Sequence, residues 1–158
     1  MKTASISEIK KELQTLHPSE VLNLCMQIAK YKKENKELLS YLLFESHQEE
    51  TFVSDIKDQI NQMFQEMNKS TLFLAKKTIR KILRTTNKYI KYSGSKQTEV
   101  ELLMFFSKSL KQSGVNLQAS PALMNIFDRQ IIKINKAISM MHEDLKHDYN
   151  EGLMGMKE

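Results

Sequence analysis

The sequence predicts an all-α protein, because helical signals recur along the whole chain and no strand pattern competes with them. The 158 residues include only four glycines and two prolines, which leaves little material for hairpins or long loops. Apolar residues recur at intervals of three and four, the period of one helix face. Alternation of apolar and polar residues never persists long enough to predict a strand. We therefore expect about six helices.

The N-terminal half of the chain is expected to form three of these helices. A short first helix carries an apolar stripe from Ile6 to Leu16, and a second begins at Pro18, a residue typical of a first helical turn. The second helix crosses the polar run KYKKENKE, where we expect a break or bend near Lys33. A third helix covers Val53 to Met67. Two capping boxes support these starts, Ser5-x-x-Glu8 and Ser46-x-x-Glu49.

The C-terminal half is expected to form the other three. The fourth helix runs from about Ser70 to Tyr92, and the fifth from Glu99 to about Gln112, behind a capping box at Thr98. The fifth contains LLMFF, which is apolar on every side and predicts a central, buried position. The sixth extends from Pro121 to about Tyr149, and residues 151–158 are expected to form a frayed tail.

Grouped in twos, the helices predict three blocks of similar length, near residues 5–45, 47–93 and 98–149. Each block has about the length of a two-helix HEAT or armadillo-like unit. This predicts antiparallel pairs in a right-handed stack, with a compact helical bundle as the alternative architecture. Residues 1–150 are expected to form one domain.

The cysteine content and the hydropathy indicate a cytoplasmic protein. Cys25 is the only cysteine, lies at helical spacing among apolar residues, and is expected to be a buried thiol. The start MKTASISEIKKELQTL has no apolar core of a signal peptide. Every apolar run is far shorter than the roughly 20 residues that a membrane span requires.

The stretch AKKTIRKILRTTNKYIKYSGSK is the strongest functional signal, because it combines many cations with no carboxylate. Turning about 100° per residue places its main cations within about 40° of Lys77 on a helix. We call this set the basic face, and it consists of Lys77, Lys81, Arg84, Lys88 and Lys91. Apolar residues such as Ile79, Ile82 and Ile90 lie on the opposite side.

Two kinds of interpretation fit the basic face. A plain solvated surface is the usual meaning of a charge run. However, like charges at i,i+4 destabilise a helix by a few tenths of a kcal/mol each, and no glutamate is interleaved to relieve them. An anionic partner would explain this pattern: acids elsewhere in the chain, an acidic protein, or nucleic acid bound without sequence preference. Membrane-surface binding fits less well, because the opposite side would have to be free to insert.

The sequence predicts no catalytic residue, cofactor or metal site. It lacks a Gly-rich phosphate loop, a G-x-S-x-G or HExxH motif and a cysteine pair. His142 and His147 are five residues apart, about 140° around a helix, whereas a helical metal pair requires spacings of three or four. The apolar stripe of the sixth helix resembles a heptad seam. It predicts either an intramolecular contact or a weak homodimer through residues 121–149.

The segments IKKELQTLHPSEVLNLCMQIAKYKKENKELLSYLLFE and AKKTIRKILRTTNKYIKYSGSKQTEVELLMFFSKSL resemble a family of small bacterial proteins with a domain of unknown function. In that family a Leu-rich start precedes a Lys-rich helix and a Tyr/Phe-Leu-x-Phe-like segment. The residues that carry the match are Leu13, Leu16, Val21, Leu22, Lys33, Lys36, Tyr41, Leu42 and Phe44. The resemblance implies an all-α, cytoplasmic bacterial protein and supplies no catalytic residues.

These observations together predict a non-catalytic protein-interaction or scaffolding module. The basic face is the predicted contact with an acidic protein partner. The alternative is sequence-independent nucleic-acid binding by the same five residues.

Overall fold

The structure, a computed structural model, describes residues 1–157, and the all-α class is confirmed over that range. The described residues form eight α-helices and one π-helical turn, where about six helices were expected. The helices are α1 (Ile6–Thr15), α2 (Pro18–Tyr31), α3 (Lys33–Ser40), α4 (Glu49–Gln65), α5 (Leu72–Ser93), α6 (Lys96–Gln112), α7 (Pro121–Ser139) and α8 (Glu143–Lys157). The π-helical turn spans Tyr41–Glu45.

The chain divides into two compact units, of which the first is Met1–Phe44 and the second begins at Glu45. The single domain over residues 1–150 stays a prediction. In the first unit, α1 begins at the predicted capping box, which is confirmed: the Glu8 N–H donates to Ser5 Oγ, and the Ser5 N–H donates to Glu8 Oε2 at 2.7 Å. The predicted break near Lys33 is also confirmed, because Lys32 is extended between α2 and α3.

The first unit buries few side chains. Of its residues, all within the described range, only Ala29 and Tyr41 are buried, although α2 packs against α3. Cys25 is exposed, so the expectation of a buried thiol is wrong. The helical spacing around Cys25 marks one side of α2, and most of that side stays accessible to solvent.

Helix α6 lies at the centre of the second unit, as LLMFF predicted. Over the described residues it packs against α4, α5, α7 and α8. Leu102, Leu103 and Phe106 are completely buried, and the Phe106 ring lies 5.7 Å from that of Phe64 on α4. Because helices cover α6 on several sides, the inner sides of those helices are fixed by contact with it.

The predicted sixth helix is two helices in the structure. Helix α7 ends at Ser139, and α8 begins at Glu143 after a short turn. The turn lets α8 return to α6, where Leu153 is buried in a cluster with Val100 and Leu103. Residues 151–157, which were expected to form a frayed tail, therefore belong to α8, and Glu158 lies outside the described residues.

The burial pattern predicts opposite results for two Phe→Ala substitutions. Phe106→Ala should lower the free energy of unfolding by about 3–5 kcal/mol, because it opens a cavity in the centre of the core. Phe73→Ala should change it by no more than about 0.5 kcal/mol, because Phe73 is 70% exposed. Urea denaturation followed by circular dichroism measures both. Similar losses for the two variants would contradict the central position of α6.

Candidate functional site

Helix α5 is a firmly held scaffold for the basic face. At its N-terminus Thr71 Oγ1 accepts a hydrogen bond from the Leu74 N–H, and at its C-terminus Gly94 adopts a left-handed conformation with φ 68°. Glycine reaches this conformation without the steric penalty that a Cβ brings. The inner side is buried through Ile79 and Ile82. The burial of these side chains fixes the rotation of α5 and turns its opposite side outward.

The five residues of the basic face lie along that outer side. Lys77, Lys81, Arg84 and Lys91 are exposed. Lys88 is half-buried, and its ammonium lies 4.5 Å from the ring centroid of Tyr89. The structure thus brings the predicted residues together on one side of one helix, and their binding role stays a prediction.

Four of the five cations of this face have no acidic partner in the described part of the chain. Within residues 1–157, Lys77, Lys81, Arg84 and Lys91 take part in no ion pair. Glu49 of α4 accepts hydrogen bonds from Ser93 Oγ and from Thr98 Oγ1, the latter at 2.6 Å. Four positive charges therefore face solvent without an internal counterion.

A groove of about 620 Å³ runs along one edge of the basic face, between α5 and α7. We call it the α5–α7 groove. Its lining consists of Phe73, Lys76, Lys77, Arg80, Leu83, Arg84, Asn87 and Ile126. Leu83 and Ile126 are partly buried, whereas Phe73 is largely exposed. The groove combines four cations with three apolar side chains.

The sequence predicted only part of this groove. Lys77 and Arg84 belong to both the basic face and the groove, while Lys81, Lys88 and Lys91 lie outside the groove lining. The helical wheel shows that Lys76 and Arg80 lean to the same side of α5 as Phe73 and Leu83. It does not show that α7 forms the other wall, because Ile126 is distant in sequence. The groove is therefore a product of tertiary packing.

A second polar cluster joins α4, α6 and α8 around Glu101. Its carboxylate accepts hydrogen bonds from Lys57 Nζ at 2.8 Å, from the Tyr149 hydroxyl at 3.0 Å and from Gln97 Nε2 at 3.3 Å. Burial acts to raise the pKa of Glu101, but the interactions with Lys57, Tyr149 and Gln97 together outweigh burial and hold that pKa below its usual range. Glu101 is thus ionised at neutral pH, and both its oxygens accept hydrogen bonds. We interpret the cluster as a structural contact that holds α8 against α6.

The histidines near the C-terminus do not form a joint site. His142 Nδ1 lies 3.1 Å from Asp144 Oδ2, and His147 Nδ1 lies 3.6 Å from Glu151 Oε1, in two separate and exposed pairs. In the described part of the chain no three His, Cys, Asp or Glu side chains are grouped as a metal site requires. No described helix combines the length and the apolar character needed to cross a membrane.

The apolar stripe of the predicted sixth helix is used within the second unit. Leu123, Phe127, Ile134 and Ile138 of α7 are all buried there. A homodimer through this region would have to use other residues of α7 or α8, such as the exposed Ile132.

Comparison with known proteins finds no matching family model, no matching curated protein and no matching solved structure. The function is therefore inferred from the residues of the basic face and of the α5–α7 groove.

The Glu101 cluster predicts a loss of stability at alkaline pH that depends on Tyr149. Burial, followed by the hydrogen bond to Glu101, raises the pKa of Tyr149 from 10.0 to about 12 in the folded state. Below pH 10 the hydroxyl is protonated in both the folded and the unfolded state, so it makes its full contribution to the free energy of unfolding. Between pH 10 and 12 the unfolded state loses this proton first, so the contribution falls as the pH rises.

Tyr149→Phe should therefore lower the free energy of unfolding by about 1 kcal/mol at pH 8, and by progressively less towards pH 12. This value is reduced because Tyr149 is partly exposed. Urea denaturation at several pH values measures this difference between wild type and variant. Tyr31→Phe is the matched control, because Tyr31 is 78% exposed and should show no such change. A difference that stays constant up to pH 12 would contradict the role assigned to the Tyr149 hydroxyl.

Proposed function

We propose that the protein is a non-catalytic interaction or scaffolding module that binds an acidic protein partner through the basic face. The observation that carries this proposal is the set of exposed cations without internal counterions, Lys77, Lys81, Arg84 and Lys91, on one firmly held helix. Their mutual repulsion is a cost to the isolated protein that an acidic partner would relieve. Complementary charge would also accelerate association with such a partner.

Two observations favour a protein partner over nucleic acid. First, apolar side chains lie directly beside the cations, at Phe73 and Ile126, and a phosphate backbone offers little for them to contact. Second, the neighbouring tyrosines are engaged within the protein. The Tyr89 ring packs edge-on at 5.9 Å from Phe52 and 5.8 Å from Tyr92. Single-stranded nucleic acid binding commonly stacks successive bases on several free aromatic faces, and of Phe73, Tyr89 and Tyr92 only Phe73 is exposed.

The proposal includes a cytoplasmic location and the bacterial origin that the family resemblance implies. It also includes the arrangement of the helices as antiparallel pairs, which would present α5 as one rigid surface. A monomer is the simplest binding unit, and a weak homodimer through residues 121–149 is the alternative.

The test is affinity capture from a nuclease-treated bacterial lysate, comparing wild type with the triple variant Lys77→Glu/Lys81→Glu/Arg84→Glu. These positions are exposed, so the variant should fold, which circular dichroism checks. We expect the wild-type protein to retain a small set of acidic proteins. The variant should retain at least tenfold less of each, because its glutamates repel them. Quantitative mass spectrometry measures the retained proteins.

A charge-matched control distinguishes the effect of the basic face on binding from the effect of the net charge. The control variant exchanges three exposed lysines away from the basic face, Lys69→Glu/Lys108→Glu/Lys136→Glu. Each exchange removes two units of charge, so both triple variants change the formal net charge from +5 to −1. The control should retain the same proteins as wild type. Equal losses in both variants, or no loss in either, would contradict the proposal.

Nucleic-acid binding is measured separately by fluorescence anisotropy of labelled DNA and RNA at two salt concentrations. If it operates, wild type should bind unrelated sequences at micromolar concentration, and the affinity should fall steeply with salt, because phosphate contacts release counterions. If the triple variant of the basic face lost such binding and the control variant kept it, nucleic acid would take the place of an acidic protein as the proposed partner.

A further inference from the structure

We propose that the α5–α7 groove binds an acidic amphipathic helix of the partner protein, with its apolar side on the groove floor and its carboxylates on the cationic rim. This inference rests on the proposed function and specifies the form of the partner's binding segment. It follows from the charge, the spacing and the apolar floor of the groove.

The groove is long enough along α5 to contact a docked helix over several turns. Its α5 wall extends from Phe73 to Asn87, which corresponds to about 21 Å at 1.5 Å per residue. A helix of about 14 residues, or four turns, covers this length. A bound helix of that length presents three or four residues of one side to the groove, the number commonly seen when a helix lies in a hydrophobic groove.

The cations on the rim recur once per helical turn. Lys77, Arg80 and Arg84 are separated by three and four residues, so they lie on one edge of α5 at intervals of about 5 Å. Glutamates spaced by three and four residues on a second helix repeat at the same interval. The rim therefore matches carboxylates in helical register.

The floor of the groove supplies apolar contacts, which a site that bound its ligand by charge alone would not require. Leu83 and Ile126 lie in the groove, and Phe73 stands at one end of it with 70% of its surface exposed. Phenylalanine and arginine are both enriched at protein interfaces relative to the rest of the surface. Burial of these side chains by apolar residues of the partner would add to the electrostatic attraction.

A second copy of this chain does not supply the required helix. Its acid-rich helices are α4 and α8, and both contribute apolar side chains to the core of the second unit. Phe52, Ile56 and Ile60 of α4 are buried, as is Leu153 of α8. The occupant is therefore a segment of a different protein.

The test is selection of random 16-residue peptides, displayed on phage, against the purified full-length protein. We expect enrichment of peptides that carry several Asp or Glu residues and apolar residues at spacings of three and four. A synthetic copy of an enriched peptide should gain helical circular dichroism signal on binding, because the groove selects the helical form.

Two double variants of equal charge then locate the binding. Lys77→Glu/Arg84→Glu changes the rim of the groove, whereas Lys81→Glu/Lys91→Glu changes exposed positions of the basic face outside it. The first should weaken peptide binding at least tenfold in fluorescence anisotropy, and the second by less than about threefold. Phe73→Ala should weaken it about tenfold without unfolding, since Phe73 is mostly exposed.

The outcomes separate this inference from the proposed function. The selected peptides could be acidic but lack apolar residues at spacings of three and four. If both double variants also lowered their affinity equally, and Phe73→Ala did not lower it, the inference of an amphipathic helix would be overturned, whereas the proposal of an acidic partner would stand. Enrichment of no peptide above the bare support would also overturn the inference. If the protein bound nucleic acid but neither acidic proteins nor acidic peptides, both proposals would be overturned.

Discussion

The burial of α6 is the constraint on which the second unit depends. Its fully buried side chains Val100, Leu102 and Leu103 are spread over about 160° around the helix, so one neighbouring helix cannot cover them. Fully burying such a side chain stabilises the fold by about 1.5–3 kcal/mol, whereas each like-charge pair on α5 costs only a few tenths. The packing of α5 against this core therefore outweighs the repulsion on its outer side. The basic face exists because α6 fixes which side of α5 is buried.

Hydrogen bonds between helices then complete the arrangement around α6. Glu49 of α4 accepts from Thr98 of α6, and Glu101 of α6 accepts from Lys57 of α4 and Tyr149 of α8. Partly buried carboxylates need such donors, because an unpaired charge away from water is costly. The same packing leaves Lys77, Lys81, Arg84 and Lys91 without an acidic partner among the described residues.

The two units differ in how they treat apolar residues. The second buries whole helix sides, whereas in the first several apolar side chains of α2, such as Leu22 and Ile28, remain exposed. In the second unit, exposed apolar groups next to the α5 cations are few, with Phe73 the largest in the groove. The combination of one exposed aromatic ring with a cationic rim is the basis on which we propose an acidic and amphipathic ligand for the α5–α7 groove.

The sequence by itself determined the all-α class, several helix ends and the stripe of cations on α5. The Ser5 capping box, the break at Lys32, the left-handed Gly94 and the outward stripe of cations all depend on residues within about one turn of each other. Only the tertiary structure decided the partners of groups that are far apart in the chain. Thr98, expected to cap α6, instead donates to Glu49, and Ser95 caps that helix. The turn between α7 and α8, the exposure of Cys25 and the wall that Ile126 adds to the groove likewise follow from packing. Helical periodicity marks which side of a helix is apolar, whereas contacts between distant segments decide what covers that side.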